Sequence, residues 1–340
     1  MSVLIIAEAG VNHNGSLDMA KRLVDAASEA GADVVKFQTF VPELTVTKNT
    51  QQADYQVDNI GKESSQLDML SNLTLSFKEH QALASYCQEK KIGYLSTAFD
   101  LPSLDEVLKL GVNCLKIPSG EITHFQLLKA VAATGLPIIL STGMSTEEDI
   151  ALALSTIHQY QPVIEKVTLL HCNTEYPTPM CDVNLNVLHS FSERFDVNIG
   201  YSDHTQGIEV PIAAVALGAQ VIEKHFTISR DMEGPDHKAS LEPQELTAMV
   251  SAIRNIEAAL GSSVKQVTNS EAKNLHIARK YLVVCENIRA GDVLSSKNIM
   301  AKRIGQAGIS PMQWPNIEGQ TASRDRTKDD ILTEDDWMPL

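Results

Sequence analysis

A chain of 340 residues, 43% hydrophobic and 21% charged, reads as about two globular domains with a sizeable core. The formal net charge of −15, with Lys and Arg scattered, excludes nucleic acid and anionic membrane as partners, so an anionic substrate has to meet a locally positive pocket. Cys87, Cys114, Cys172, Cys181 and Cys285 are odd in number and lack C-x-x-C spacing, and no signal peptide or apolar stretch of about 18 residues is found, so a reduced, cytoplasmic protein without a membrane span is expected.

Apolar runs of strand length recur at residues 3–9, 34–39, 93–98, 114–117, 137–141, 167–172, 198–202 and 221–225. Helical periodicity fills the intervals, as in Leu17-Asp18-Met19-Ala20-Lys21-Arg22-Leu23-Val24, and Ser103 to Glu106 and Ser145 to Glu148 read as capping boxes. Eight near-continuously apolar strands alternating with helices over about 250 residues predict a (β/α)8 TIM barrel in preference to an open doubly wound sheet. No G-x-G-x-x-G follows a strand, which weakens the dinucleotide-binding alternative. Residues 41–73, rich in Gln, Asn, Ser and Asp, are expected as an extended loop on the barrel mouth. The last barrel helix runs from near Pro243 to Leu260-Gly261, which sets the barrel at 1–261 and a polar linker at 262–278. Short β runs such as Tyr281-Leu282-Val283-Val284 and a turn at Gly291-Asp292 predict a small, mostly β module over 279–340.

In such a barrel the reacting groups stand at the C-terminal ends of the strands. The first run ends in Glu8, the second carries Lys36 and Gln38, the third Ser96 and Thr97, and Ser119 and Glu121 follow Lys116 of the fourth. The last three supply His171, Asn173, Tyr176, Ser202, Asp203, His204, Glu223 and His225. Polar groups are costly to bury without partners, so this many at one face points to a ligand. Lys36 and Lys116 each have three open uses. They fit an ion pair with Glu8, Glu121 or Glu223, a phosphate site shared with the Thr97, Ser119 and Ser202 hydroxyls, or a Schiff base as in a lysine aldolase. Ser119-Gly120 adds backbone N–H groups in a turn suited to an anion.

His204 and His225 close consecutive runs, so in a parallel sheet both imidazoles arrive at one edge. They read either as ordinary strand-end histidines or as two ligands of a borderline divalent ion with open positions for water and substrate. Asp203 or Glu223 is a candidate to orient a ring. Asp236-His237, on the turn-rich loop after the eighth run, reads equally as a solvated turn or a substrate contact.

Taken together, Ala7-Glu8-Ala9-Gly10-Val11-Asn12-His13-Asn14-Gly15, Val35-Lys36-Phe37-Gln38, Lys116-Ile117-Pro118-Ser119-Gly120-Glu121, Leu140-Ser141-Thr142-Gly143-Met144, His171-Cys172-Asn173-Thr174-Glu175-Tyr176-Pro177-Thr178-Pro179, Tyr201-Ser202-Asp203-His204 and Glu223-Lys224-His225-Phe226 closely resemble the sialic acid synthase family. These are phosphoenolpyruvate-dependent enzymes, and the resemblance covers nearly the whole chain. It implies condensation of phosphoenolpyruvate with N-acetylmannosamine, or a close N-acetylated mannose-type relative, to give a nine-carbon 2-keto acid and phosphate. The same reaction on 2,4-diacetamido-2,4,6-trideoxymannose, giving N,N'-diacetyllegionaminic acid, is the alternative. A non-catalytic carbohydrate-binding protein on a retired barrel is the reading from another class.

The resemblance also assigns residues. His204 and His225 match the metal ligands, with Mn²⁺ first and Mg²⁺ or Co²⁺ as alternatives, and Glu8 and Glu121 join them as catalytic residues. Lys36, Thr97, Lys116, Ser119 and Ser202 match phosphoenolpyruvate-binding positions, while Glu8, Gln38, Tyr176 and Asp236 match the sugar side. Glu121 matches a carboxylate near the reacting carbon. Asn173-Thr174 stands where some members have Thr-Asn, which leaves open which of the two contacts phosphoenolpyruvate. The C-terminal module looks like the family's antifreeze-like (SAF) domain, lying over the partner's barrel mouth in a domain-swapped homodimer and supplying Arg303 to the sugar. Ala98, Ile304 and Gln306-Ala307 depart from the family pattern, the last three in the loop expected to place Arg303.

Overall fold

Each of the eight apolar runs becomes a strand in the computed structural model, which describes residues 2–61, 64–163 and 166–338. They are β1 (Leu4–Gly10), β2 (Val34–Thr39), β3 (Gly93–Ala98), β4 (Leu115–Ile117), β5 (Ile138–Ser141), β6 (Val167–His171), β7 (Asn198–Asp203) and β8 (Val221–His225). All pairings are parallel, in the order β3-β2-β1-β8-β7-β6-β5-β4. β3 and β4 stand side by side and complete the ring without a hydrogen-bonded ladder among the described residues. This is the expected (β/α)8 barrel.

Strand alternation sorts the side chains into two sets. Outward-facing residues such as Ile5, Ala7, Val35 and Ile222 pack under the surrounding helices in one large core. The helix Leu17–Glu29 is typical, burying Ala20, Leu23, Val24 and Ala27 at helical spacing. Inward-facing Ile6, Leu95, Ile139, Leu170 and Val221 fill the barrel below its mouth. Gly200 is required there, because a Cβ on it would lie 2.5 Å from both Leu170 Cδ2 and the Val221 carbonyl oxygen. One inward step further along each strand, the apolar plug gives way to Glu8, Lys36, Thr97, Lys116, Ser141, Ser202 and Glu223. The site is built on that polar layer.

Three expectations are corrected. The helix Leu101–Lys109 begins at Asp100, whose carboxylate accepts from Ser103 N at 2.8 Å and Ser103 Oγ at 2.9 Å, so Ser103 is not the cap. The helix Glu147–Tyr160 begins at Thr146, in a reciprocal box with Asp149, one residue later than the Ser145 to Glu148 box. Residues 41–73 do not form an extended loop. They contain the helices Pro42–Thr45, Asp54–Ile60 and Gln66–Leu73, and Met69 and Leu73 join Val11 and Phe40 in a small core of their own. The Ser65 cap, accepting from Asp68 N at 3.1 Å, and the Met69/Leu73 spacing outweigh the polar composition.

The chain divides into compact units at Gly261. In the second, the polar stretch after Gly261 contains the helix Asn269–Ala278, started by a Thr268–Glu271 capping box. β9 (Lys280–Val284) pairs antiparallel with β10 (Ile299–Arg303), and the short β11 (Thr321–Ala322) pairs with β12 (Trp337–Met338). Leu282, Val284, Ile288, Leu294 and Ile299 form its core, and buried Asp336 ties Arg324 and Arg326. Of the module expected over 279–340, residues 339–340 lie outside the described residues. No helix among the described residues is long and apolar enough to cross a membrane.

Candidate active site

At the C-terminal ends of the strands lies a cavity of about 310 Å³. Glu8, Lys36, Gln38, Thr97, Lys116, Ser119, Thr174, Tyr176, Ser202, His204, His225 and Asp236 all line it. Twelve side chains far apart in sequence meet because each ends, or closely follows, a barrel strand.

The floor of the cavity is a chain of charges. Lys36 Nζ is 2.8 Å from Glu8 Oε2 and 3.6 Å from Glu223 Oε2, and donates to Thr97 Oγ1 at 3.1 Å. Lys116 Nζ is 3.5 Å from Glu223 Oε1 and donates to Ser141 Oγ at 2.7 Å. Ser202 Oγ donates to Glu223 Oε1 at 3.0 Å, and Gln38 Nε2 to Glu8 Oε1 at 3.3 Å. The lysines therefore pair with carboxylates, the first of the uses left open by the sequence, and at the same time face the cavity.

Burial bears unequally on the four groups. Burial pushes the Glu8 carboxyl up to about 7 against the pull of Lys36, with Glu223 adding to the rise. Burial also works to raise Glu223, but Lys116 and Lys36 outweigh it and hold that carboxyl down to about 2. Burial disfavours both ammonium groups; Glu223 and Glu8 overcome this at Lys36, whose pKa is raised, whereas at Lys116 burial prevails and the pKa is lowered. Two lysines and two carboxylates, one of them with a raised pKa, thus lie under the cavity. Two ammonium groups that face a cavity beside hydroxyls suit an anion. Ser119 Oγ, accepting from Gly143 N at 2.9 Å, stands on the same side, and Thr174 Oγ1 lies 2.4 Å from where a Gly143 Cβ would be.

The two histidines add an uncharged part to the same cavity. Burial lowers His204 to about 4 and His225 well below the usual imidazole range, so both rings are neutral near pH 7. His204 Nδ1 donates to the Asn173 carbonyl, which leaves the Nε2 lone pair free, and His225 Nδ1 has no hydrogen-bond partner. The ring centroids are 5.4 Å apart. Two neutral imidazoles with unshared lone pairs fit a borderline divalent ion, and no group of three or more His, Cys, Asp or Glu among the described residues is placed to hold one. An ion bound there would take its remaining ligands from water and substrate. Tyr176 covers the pair, 4.1 Å from the His204 centroid and edge-on to His225 at 5.7 Å, and Tyr55 stacks on Tyr176 at 5.1 Å.

The remaining expected residues lie elsewhere. Glu121 Oε2 is held 2.6 Å from His124 Nδ1, and Glu121 does not line the cavity. Asn173 serves His204 through its carbonyl, while its side chain donates to the Asp182 carbonyl at 2.8 Å; Thr174 is the one of the two that lines the cavity. Arg303 ends β10 in the second unit, its Nε donating to the Ala278 carbonyl at 3.2 Å. Asp203 does not orient His204. It faces out of the barrel, where it binds fully buried Lys224 and accepts from Thr205 N, because alternate residues on a strand face opposite ways. Nor does Glu223 hold His225, whose Nδ1 is unpartnered. Glu223 is the centre of the lysine layer, a role that alternation along Glu223-Lys224-His225 could have revealed. Ser141 and Tyr55 also line the cavity without having been singled out.

Residues 23–265 match the NeuB family, and residues 279–337 match the SAF domain. The chain belongs to the NeuB family. This NeuB-family chain is 45% identical over 331 residues to the N,N'-diacetyllegionaminic acid synthase of Campylobacter jejuni subsp. jejuni serotype O:2, covering 97% of this chain and 99% of that one. It is 42% identical over 325 residues to the N,N'-diacetyllegionaminic acid synthase of Legionella pneumophila, covering 95% and 91%. Among solved structures, the N-acetylneuraminic acid (sialic acid) synthetase of Leptospira borgpetersenii, in complex with citrate, superposes with a TM-score of 0.72 at 35% identity over 81% of this chain and 90% of that one. The chain is thus an enzyme of the sialic acid synthase type, with a barrel followed by a SAF domain.

Proposed function

We propose that the cavity condenses phosphoenolpyruvate with 2,4-diacetamido-2,4,6-trideoxymannose to give N,N'-diacetyllegionaminic acid and phosphate, forming a C–C bond and breaking the C–O bond to phosphate. The observation that carries this is one cavity lined both by two lysines and by two neutral imidazoles. The relatives at 45% and 42% identity favour this acceptor over N-acetylmannosamine, which the 35% identical sialic acid synthetase keeps as the second reading.

In this reading Lys36 and Lys116 hold the phosphate and carboxylate of phosphoenolpyruvate, with hydroxyls from Thr97, Ser119, Thr174 and Ser202 fixing its orientation. Their existing carboxylate partners keep the ammonium groups in place before substrate arrives. Glu8, poised near neutrality, can deliver the proton that the acceptor's aldehyde oxygen needs as C3 of phosphoenolpyruvate attacks its carbon. Water then adds at C2, one of its protons restoring Glu8 and the other leaving with phosphate as the C–O bond breaks and the 2-keto group forms. A divalent ion held by His204 and His225, Mn²⁺ in the first place, would supply Lewis-acid polarisation of the aldehyde. Gln38, Tyr176 and Asp236 line the acceptor's side, whereas Glu121, paired with His124 outside the cavity, has no part in this reading. A homodimer in which a second copy supplies Arg303 to the sugar belongs to the same reading, and sedimentation together with the acceptor KM of Arg303→Ala tests it.

Phosphate release from phosphoenolpyruvate with each sugar and Mn²⁺ is the direct test. The expected result is turnover with both and a higher kcat/KM for the diacetamido sugar. Release with neither sugar overturns the reading.

A further inference from the structure

Of the three carboxylates that line the cavity among the described residues, Glu8 and Glu223 belong to the lysines, while Asp236 is carried by the loop after β8. That loop leaves and rejoins the barrel at one point, where Thr227 N donates to the Leu241 carbonyl at 2.8 Å and Leu241 N to the His225 carbonyl at 2.9 Å. Between these feet, residues 228–240 are irregular apart from the short 3-10 helix His237–Ala239. Such a loop holds a carboxylate still only if its own main-chain groups are held.

The turn after β1 supplies the holding groups. Asn12 Nδ2 donates to the Phe226 carbonyl at 2.8 Å and to Ser240 Oγ at 3.0 Å, and Ser240 Oγ in turn donates to the Asp236 carbonyl at 2.7 Å. Asn14, left-handed at φ 51°, donates from Nδ2 to the Glu233 carbonyl at 2.8 Å. Its Oδ1 accepts from His237 Nε2 at 3.4 Å, which leaves Nδ1 of that ring to accept from Thr227 Oγ1 at 2.7 Å. Burial holds His237 down to about 4, so the ring is neutral near pH 7 and keeps one donor and one acceptor. Gly234 lets the loop cross these side chains, because a Cβ there would lie 2.6 Å from His237 Cδ2 and 2.9 Å from Asn14 Oδ1. Asn12, His237 and Ser240 are almost wholly buried, and neither they nor Asn14 line the cavity.

Resting on the condensation proposed above, we infer that Asn12, Asn14 and His237 are positioning residues, a clasp between the β1 and β8 loops that holds the Asp236 carboxylate over the acceptor. None of them touches a substrate. An O–H or N–H of the acceptor meets that carboxylate only while the loop keeps its place, and a displacement of about 1 Å is enough to cost up to about 10²-fold in rate.

Asn14→Gly tests the clasp, since it keeps the left-handed turn and removes both side-chain hydrogen bonds. Measured by phosphate release with 2,4-diacetamido-2,4,6-trideoxymannose and Mn²⁺, it is expected to lower kcat/KM for the acceptor by about 10-fold, with the KM for phosphoenolpyruvate unchanged. In an Asp236→Ala background the same substitution is expected to cost less than about twofold, because the group it positions is already gone. A merely structural role would give the full loss in both backgrounds. His237→Phe, which keeps a ring and removes both of its hydrogen bonds, is the second variant should Asn14→Gly loosen its turn, and the same pattern is expected from it. Acceptor kcat/KM at the wild-type value in both variants, a full loss in the Asp236→Ala background, or an equal rise in the KM for phosphoenolpyruvate overturns the clasp. Those outcomes leave the condensation standing, whereas absence of phosphate release by the unaltered chain overturns the condensation itself.

Discussion

Two buried lysine–carboxylate clusters lie back to back in the barrel wall, and they are built to opposite ends. On the outer face, Lys224 is 2.5 Å from Asp203 and also donates to the Thr205 carbonyl, while Asp203 accepts from Thr205 N at 3.0 Å and Thr205 Oγ1 at 3.1 Å. Lys224 and Asp203 are both fully buried, and the charges match one to one. On the inner face, Lys36 and Lys116 share Glu223 and Glu8, and the Glu8 Oε2 and Glu223 Oε2 atoms accept no aligned hydrogen bond. A closed pair is a structural element. A looser cluster of two lysines and two carboxylates that opens on a cavity can turn to a ligand.

The sharpest way to break this contrast is to remove one lysine from each cluster. Lys36→Met is expected to lower kcat/KM by about 10³-fold, since it removes a charge contact to phosphoenolpyruvate, with little change in Tm because Lys116 still neutralises Glu223. His204→Ala or His225→Ala is expected to lose at least as much, again with the fold intact by circular dichroism; full activity after thorough chelation would sink the metal assignment. Lys224→Met should do the reverse. It strands the buried Asp203 charge, and about 3–5 kcal/mol of stability is expected to go in urea unfolding, with kcat per folded molecule nearly kept. Equal effects of Lys36→Met and Lys224→Met on Tm would erase the distinction.

A smaller effect follows from protons. The folded-state pKa of Glu8 is raised from 4.5 to about 7, so between those values the folded chain holds a proton that the unfolded chain has released. Glu8 therefore contributes a destabilisation that is absent below pH 4.5 and complete above pH 7. Glu223, lowered to about 2, works oppositely, its contribution being present above 4.5 and lost as pH falls toward 2. Glu8→Gln is expected to remove the fall in stability between pH 4.5 and 7 and to raise stability by about 2 kcal/mol at pH 8, while cutting turnover. An unchanged slope of stability against pH in that window would place the proton elsewhere.

The same alternation explains what could be read from the sequence. The eight strands are legible because strands buried on both faces are apolar almost throughout, and their ends place Glu8, Lys36, Lys116, His204 and His225 together without further help. What escapes is facing. Asp203 and Glu223 are both carboxylates and stand one and two residues before a histidine, yet one faces the helices and the other the cavity. Counting in steps of two from His204 and His225 separates them. Segment 41–73 escapes for another reason: its three helices are short, and their apolar residues gain burial against Val11, Phe40 and Phe99 from outside the segment, which local composition cannot show.

Asn173 sets the fine edge of the comparison, because its main chain serves the site and its side chain serves the fold. The carbonyl fixes the tautomer of His204, and a carbonyl survives any substitution except one that moves the backbone. The amide side chain anchors the loop by one hydrogen bond to the Asp182 carbonyl, at 2.8 Å, in a partly exposed setting. Asn173→Ala is therefore expected to cost about 1 kcal/mol of stability and to leave kcat within about threefold, the size of one such bond. Thr174→Val, next in sequence but lining the cavity, should instead raise the KM for phosphoenolpyruvate while leaving stability alone. Steady-state kinetics and thermal unfolding on the two variants read both quantities. A raised phosphoenolpyruvate KM in Asn173→Ala with none in Thr174→Val would mean that the amide, and not the hydroxyl, reaches the substrate.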